Sequence, residues 1–330
     1  MLEKTLKLIA QIPPGTYADS PAEVFDEAEL TELAKLLRPL LYAPSKLRAY
    51  LQVLGVTITP SNYYSEIPTI VDIERTFSVN PVMYCADLFD AVKLRKYILE
   101  LLPFTIEFDP PQHAQESGEG VYGWDCGMYS YSDAMSYYSI IRHLRPNKVL
   151  EIGSGFSSLI ALEALKKNGI GSLTCIEPFP REFLKKNTAI DLIQKPVQEI
   201  AAHYINDTLD DGDILFIDST HTVKHGSDCL HLYLNLLPAI KKNILVHVHD
   251  IYLPESFPLS YLRDRQIYWT EQYLLGAYLM DNAKVNILFS SFYNSRRNKD
   301  LLSKMMQGRF APGGAALWFE LNGNLEPSNL

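Results

Sequence analysis

KVLEIGSGFSS, running from Lys148 to Ser158, is the stretch that decides the fold. Val149, Leu150 and Ile152 form an apolar run of the kind a strand buried on both faces needs. Gly153-Ser154-Gly155 then breaks it. The spacing predicts a helix from Phe156 to Lys167, with Leu159, Leu162 and Leu165 as its stripe and Asn168-Gly169 as its stop. Strand, glycine turn and helix follow one another directly. Glycines in such a turn let a ligand approach the backbone closely. The helix N-terminus offers it free N–H groups.

Ser158 stands where a third glycine would complete the dinucleotide fingerprint, so a pyrophosphate is not the expected ligand. Glu151, two residues before the first glycine, suits a ligand that carries an ammonium group. The pattern E-x-G-x-G after a strand resembles motif I of the class I S-adenosylmethionine-dependent methyltransferases. That resemblance implies a loop, Gly153-Ser154-Gly155 with Glu151, wrapped around the methionine half of the cofactor.

Outward from this stretch, strand and helix alternate. Strands are expected at Ser172–Glu177, Ile190–Gln194, Asp213–Asp218, Asn243–Asp250, Lys284–Ser290 and Ala315–Leu321. Helices are expected at Gly226–Leu237, stopped by Pro238, and at Tyr268–Asn282. This is an α/β fold, a Rossmann-like seven-stranded and mostly parallel sheet with helices on both faces. Upstream, Ser132-Asp133 opens a helix to Leu144, and Asp87–Leu102 is helical up to Pro103. Residues before about 60 read as short helices, Glu29–Leu41 and Ser45–Leu54 among them, and MLEKTLKLIAQIPPG has apolar residues at helical spacing. Tyr63–Phe77 has no clean period and reads as an extended arm leading into a short helix. Pro110–Gly120 is the expected boundary. Residues 1–120 are then an N-terminal helical extension that covers the substrate side, and 121–330 the catalytic domain.

The bulk numbers narrow the class. The chain has 330 residues, 47% of them apolar, and a net charge of -9, which disfavours general affinity for nucleic acid or an anionic membrane. Cys85, Cys126, Cys175 and Cys229 are scattered without a C-x-x-C pair, so neither a zinc site nor a disulfide framework is expected. No window is apolar enough to span a bilayer. A cytoplasmic setting fits, and a homodimer is an open expectation.

The residues at the strand ends carry the chemistry. Glu177 ends the second strand, about twenty residues past the glycine turn, where an acid takes both ribose hydroxyls of a nucleotide-like ligand. Asp218 ends the fourth strand and Asp250 the fifth. Neighbouring strands lie about 4.8 Å apart, so both carboxylates are expected over the carboxyl edge. His221 lies just beyond Asp218 and is the histidine freest for chemistry. His225 lies in the same loop. Alternation along the fifth strand puts His247 and His249 on one face and Asp250 on the other. His247 reads as a core residue, and His249 as a substrate contact. Trp124 and Tyr129 either shape a substrate pocket or pack the N-terminal part onto the sheet. Arg296-Arg297-Asn298-Lys299 reads as a solvated loop between the last two strands, with contact to an acidic substrate as the alternative.

This site resembles the O-methyltransferases of the catechol and caffeoyl-coenzyme A type. They hold a divalent metal between an Asp after the fourth strand and an Asp-Asn pair after the fifth, with a Lys base three residues past the first Asp. Asp218 and Asp250 match both acidic positions. His221 falls at the Lys position, and Ile251 replaces the Asn. His serves equally as ligand and as base. The run from about Tyr122 to Leu321 is similar to the branch named methyltransferase domain 24, through LRPNKVLEIGSGFSS, LTCIEPFP, GDILFIDSTHTVKHGSD, ILVHVHDIYLP and WTEQYLLGAYL. YYSEIP resembles segments that precede this domain in the same branch. The resemblance implies S-adenosylmethionine as cofactor, bound by Glu151, Gly153, Ser154, Gly155, Glu177, Gln198 and Asp218, with Gln198 at the adenine edge. It implies Mg²⁺ or another divalent metal on Asp218, Asp250 and His221, with His221 and Asp218 catalytic. The expected reaction is O-methylation of a small molecule or sugar. The alternatives are N-methylation without a metal, a metal-dependent hydroxylase on the same fold, and a cofactor-binding protein without catalysis.

Overall fold

β1 (Lys148–Ile152) is central to a seven-stranded sheet of order β3-β2-β1-β4-β5-β7-β6. The computed structural model describes residues 27–78, 88–113, 120–129 and 131–323. The expected helical stripe at the N-terminus, Cys85 and most of the 110–120 boundary loop lie outside the described residues. The chain divides into two units, one of residues up to Phe77 with Leu259–Tyr268, the other of Ser78–Pro258 with Trp269 onward.

The first unit holds α1 (Glu27–Leu37), which runs into a 3₁₀ turn, α2 (Ser45–Val53) and α3 (Ile70–Thr76). A capping box starts α3: the Thr69 side chain accepts from the Asp72 amide, and Asp72 reaches back to the Thr69 amide.

In the second unit come α4 (Ala91–Thr105), α5 (Ser132–Leu144), β1, α6 (Phe156–Asn168), β2 (Ser172–Ile176), α7 (Glu182–Lys186), β3 (Ile190–Ile193), α8 (Ala202–Thr208) and β4 (Ile214–Ile217). There follow α9 (Asp228–His231), β5 (Ile244–Val248), α10 (Glu271–Leu279), β6 (Val285–Ser290), α11 (Ser291–Arg297), α12 (Lys299–Met305) and β7 (Leu317–Leu321). This unit starts at Ser78, so α4 sits with the sheet and not with the N-terminal helices.

β1, β2, β3, β4 and β5 are parallel, and β7 enters antiparallel between β5 and β6. β1 is buried on both faces, as its sequence requires. Val149 joins the apolar cluster with Ile160, Ala161, Tyr137 and Phe216. Leu150 and Ile152 join the opposite cluster with Leu215, Ile217 and Val246. Each such side chain contributes about 1.5–3 kcal/mol on burial.

Two expected stops do not stop their helices. Pro103 lies inside the last turn of α4, and Asp90 caps its start. Pro238 lies inside Leu237–Ala239, because α9 continues through a wider π turn at Leu232–Leu236. Arg296 and Arg297 end α11, and Lys299 starts α12, so this stretch is helical and not a loop. Arg297 pairs with the buried Glu255 at 2.6 Å.

The order reverses between β1 and β4: β2 and β3 continue to one side, β4 and β5 to the other. In open α/β sheets the ligand crevice opens at such a point, beyond the carboxyl ends of the strands.

Candidate active site

Ladder hydrogen bonds carry three strand ends into that crevice. The Asp218 amide donates to Ile152 O at 2.8 Å, the His249 amide to Ile217 O at 3.0 Å, and the Gly153 amide to Ile176 O at 3.0 Å. A cavity of about 390 Å³ opens there. Its walls include Gly153, Ser154 and Gly155 from the turn, Glu177 after β2, Asp218 and His221 after β4, and Asp250 after β5. Tyr129, His249 and Trp269 also line it.

Gly153 is demanded by the close approach of β4. Its φ is +78°, and a Cβ there would lie 1.9 Å from the Asp218 carbonyl oxygen. Only glycine takes this conformation and leaves that space empty. Glu177 is tied into the same turn. Its carboxylate accepts from the Ser154 amide at 3.2 Å and from the Phe179 amide at 2.7 Å.

Glu151 is placed differently from the expectation. Its side chain is fully buried and does not line the cavity. Its carboxylate accepts from Tyr137 at 2.8 Å and from the Ser158 hydroxyl, with Cys175 Sγ at 3.6 Å. Burial pushes its carboxyl up to about 7 against these hydrogen bonds. Period-two alternation explains the placement: Glu151 shares the face of Val149 and points into the core under α6. Gln198 also lies away from the cavity. It is exposed and donates to Gly226 O at 3.2 Å. Trp124 is buried against Phe108 and Phe310 and is a packing residue.

Asp218, His221 and Asp250 converge, with donor atoms within 4.8 Å of one another. His221 Nε2 lies 3.3 Å from Asp218 Oδ1 and 3.5 Å from Asp250 Oδ2. The expected separation of His249 and Asp250 onto opposite faces does not hold. Both His221 and Asp250 adopt left-handed backbone, with φ of 60° and 57°. At Asp250 this ends the strand alternation and brings the carboxylate into range of His249. Such conformations in non-glycine residues are costly and gather at functional sites. His249 Nδ1 lies 3.6 Å from Asp218 Oδ1 and 3.7 Å from Asp250 Oδ2. His247 stays in the core, stacked on Trp318 with ring centres 4.2 Å apart. His225 is exposed.

His221 and His249 each have a second carboxylate behind them. His221 Nδ1 lies 2.7 Å from Glu271 Oε2, and Glu271 is 1% exposed. Glu271 also accepts from Ser219 at 2.8 Å and from Tyr233 at 2.7 Å. The His221 carbonyl accepts the Thr270 and Glu271 amides, which pins this loop to the start of α10. His249 Nε2 faces Asp133 Oδ2 at 3.4 Å. Asp133 is held by the Ala315 and Ala316 amides and by Ser291. Glu271 and Asp133 carried no sequence signal as site residues: one opens a helix in WTEQYLL, the other in SDAMSYY, where acids are ordinary first-turn residues.

The electrostatics follow from this cluster. Burial alone raises Asp218 and lowers His221, but their pairing outweighs it. His249 and His221 hold the Asp218 carboxyl well below the usual carboxylate range. Asp218 and Glu271 push His221 up to about 10. Asp250 is raised by burial, only partly offset by His249 and His221.

Residues 150–251 match the family model described as a methyltransferase domain. An uncharacterized protein of Archaeoglobus fulgidus is 34% identical over 161 residues, which span 44% of this chain and 72% of that protein. The chain belongs to the class I S-adenosylmethionine-dependent methyltransferase family. Among solved structures, it is similar to the plantazolicin methyltransferase BpumL in complex with SAH, at 16% identity and a TM-score of 0.39, covering 70% of this chain and 98% of that one. It is similar also to the O-methyltransferase TomG of Streptomyces achromogenes in complex with SAM, at 14% identity and a TM-score of 0.36, covering 71% and 97%.

Proposed function

We propose that this protein methylates an oxygen of a small molecule or sugar, with a divalent cation held by Asp218, Asp250 and His221. The observation that carries this reading is the convergence of two strand-end carboxylates on His221 Nε2, at 3.3 and 3.5 Å, inside the cavity formed by the glycine turn.

S-adenosylmethionine, when bound, supplies an electrophilic methyl group, whose bond electrons stay on sulfur as the carbon passes to the acceptor oxygen. A divalent cation, when bound, supplies positive charge that lowers the pKa of an acceptor hydroxyl. Two carboxylates and an imidazole are a suitable donor set for one. The chain's own residues do the rest. In this reading Gly153-Ser154-Gly155 receives the cofactor's methionine half and Glu177 its ribose hydroxyls. Asp218 and Asp250 hold and orient the reacting groups. His221, steadied by Glu271 through Nδ1, presents Nε2 to the acceptor side and receives its proton or completes the donor set. At neutral pH the paired carboxylates keep His221 protonated. A bound cation would offset the Asp218 charge that, with Glu271, holds this proton, and so favour the neutral imidazole that either role needs.

The buried Glu271–His221 pair supports a second version, in which His221 acts as base without a cation; since Asp218 and Glu271 push it up to about 10, turnover in that version rises with pH towards that value. Chelation separates the two. With a cation, a chelator abolishes turnover, Mn²⁺ or Mg²⁺ restores it, and Asp250→Asn is nearly inactive. Without one, chelation changes nothing. Full activity in His221→Ala would sink both. Product mass separates oxygen methylation from hydroxylation, and the product's structure separates it from N-methylation. No turnover alongside cofactor binding would indicate a non-catalytic protein. The proposal that residues 1–120 cover the substrate side rests on their apolar stripes. Deleting residues 1–110 is then expected to cost acceptor turnover or solubility, and full activity would refute it.

A further inference from the structure

We propose that Tyr233 is a positioning residue for the Asp218–His221–Asp250 site. Its phenol fixes the Glu271 carboxylate, and Glu271 in turn fixes His221 with Nε2 toward the two strand-end carboxylates. This rests on the reading that a divalent cation binds there.

The observation behind it is how the two oxygens of Glu271 are shared. Glu271 and Tyr233 are each 1% exposed. Oε2 faces His221 Nδ1 at 2.7 Å and accepts from Ser219 at 2.8 Å. Among the described residues, Oε1 accepts only from Tyr233, at 2.7 Å. The terminal torsion of a glutamate is broad, so its partners set the plane of the carboxylate. Two partners on Oε2 hold that oxygen but leave the group free to turn about it. Tyr233 on the other oxygen stops that rotation. Burial first, and then the Glu271 charge, raise the phenol well above its ordinary value of 10, so it stays a donor.

The backbone is arranged to match. α9 widens into the π turn Leu232–Leu236, and Tyr233 lies in that turn. Single π turns inside helices are rare and gather at functional sites. Tyr233 shares an apolar cluster with Leu275 and Leu279 of α10, the helix that Glu271 opens. Its ring lies 6.4 Å from that of Tyr278 in the same helix. The ring thus has packing of its own, and the hydroxyl alone serves the carboxylate. Trp269 packs against the His221 ring, with centres 4.4 Å apart. A carboxylate behind a ligand histidine fixes its tautomer and orientation, and metal affinity depends on such outer partners.

The test is binding of Mn²⁺ alone to the chelator-treated full chain. Tyr233→Phe removes one oxygen and keeps the ring. It is expected to weaken Mn²⁺ binding by about tenfold and to leave S-adenosylhomocysteine affinity within about threefold. Glu271→Gln is expected to weaken Mn²⁺ binding by about 10–100-fold. Because Tyr233 acts through Glu271, adding Tyr233→Phe to Glu271→Gln is expected to cost less than about threefold more. The double variant buries no orphaned charge, so it serves also where Tyr233→Phe alone does not fold. Wild-type Mn²⁺ affinity in folded Tyr233→Phe or Glu271→Gln, whatever the Tm, overturns the positioning role and leaves the cation site standing. A double variant far weaker than Glu271→Gln overturns it too, because Tyr233 then acts by another route. Absence of Mn²⁺ binding by wild type overturns the cation reading, and the positioning role with it.

Discussion

His221 Nδ1 and Glu271 Oε2 are 2.7 Å apart, although fifty positions separate them in the chain. The bond joins the loop after β4 to the first residue of α10, and it fixes which nitrogen of His221 faces the cavity. Charge removal at Glu271 therefore acts on His221 without touching a bound ligand. Glu271→Gln keeps an acceptor and loses the charge. It is expected to lower kcat by about 10–100-fold with little change in the KM for S-adenosylmethionine. Steady-state kinetics on both substrates checks this, and an unchanged kcat would refute the positioning role.

Glu177 accepts from the Ser154 amide of the glycine turn and from the Phe179 amide of its own loop, and is proposed to take the cofactor's ribose hydroxyls. Glu177→Ala is expected to weaken S-adenosylhomocysteine binding by about 1.5–3 kcal/mol, the range for hydrogen bonds to a charged group. Titration calorimetry reads the loss directly. Wild-type affinity in the variant would remove Glu177 from the cofactor site.

Gly153 meets the Asp218 carbonyl with no room for a side chain. Gly153→Ala forces a positive φ on alanine and displaces the end of β4. We expect a loss of about 2 kcal/mol or more in urea unfolding, together with loss of cofactor binding. A variant as stable as wild type would show that β1 and β4 are further apart than the structure has them.

Glu151 offers a pH test of its burial. Its folded carboxyl is raised to about 7 by burial, above the ordinary value near 4.5. The folded state thus holds this proton more tightly than the unfolded chain. The contribution is full below about pH 4.5 and fades as pH rises through about 7. Glu151→Gln has no proton to lose. Its Tm relative to wild type is expected to climb between pH 4.5 and 7 and then level off. Its affinity for S-adenosylhomocysteine is expected to stay within threefold, since the side chain does not line the cavity. A flat Tm difference, or a large affinity loss, would return Glu151 to the cofactor site.

His221 gives the opposite sign. Burial lowers its pKa, and the bonds to Asp218 and Glu271 outweigh this and push it up to about 10. In cation-free protein its charged form stabilises the fold fully below about pH 6.5, and that stability is lost as pH rises through about 10. His221→Gln is therefore expected to be most destabilised, relative to wild type, below pH 6.5, with the gap closing at higher pH. Thermal melts from pH 6 to 10 read this. Cation binding must displace the same proton, so it is expected to tighten as pH rises and to release protons into weak buffer.

By itself the chain order of strand and helix determined the α/β sheet. An apolar run, a glycine break and a helical stripe repeat along the sequence, and each is a local pattern. The same locality placed Asp218, His221 and Asp250 at strand ends and Gly153-Ser154-Gly155 at a turn that lines the cavity. Tertiary structure decided the rest, since period and spacing describe one element at a time. Whether Glu151 faced ligand or core depended on which face α6 covers. Gln198 and Trp124 found partners elsewhere, in Gly226 and Phe108, at no position the spacing specified. The left-handed φ of Asp250, which breaks the alternation at the end of β5, is a property of the packed strand end and not of its residue pattern. Glu271 and Asp133 became partners of the two histidines only because α10 and α5 pack where they do, 50 and 116 positions away. Contacts at such separations are set by how the layers dock, which no local pattern encodes.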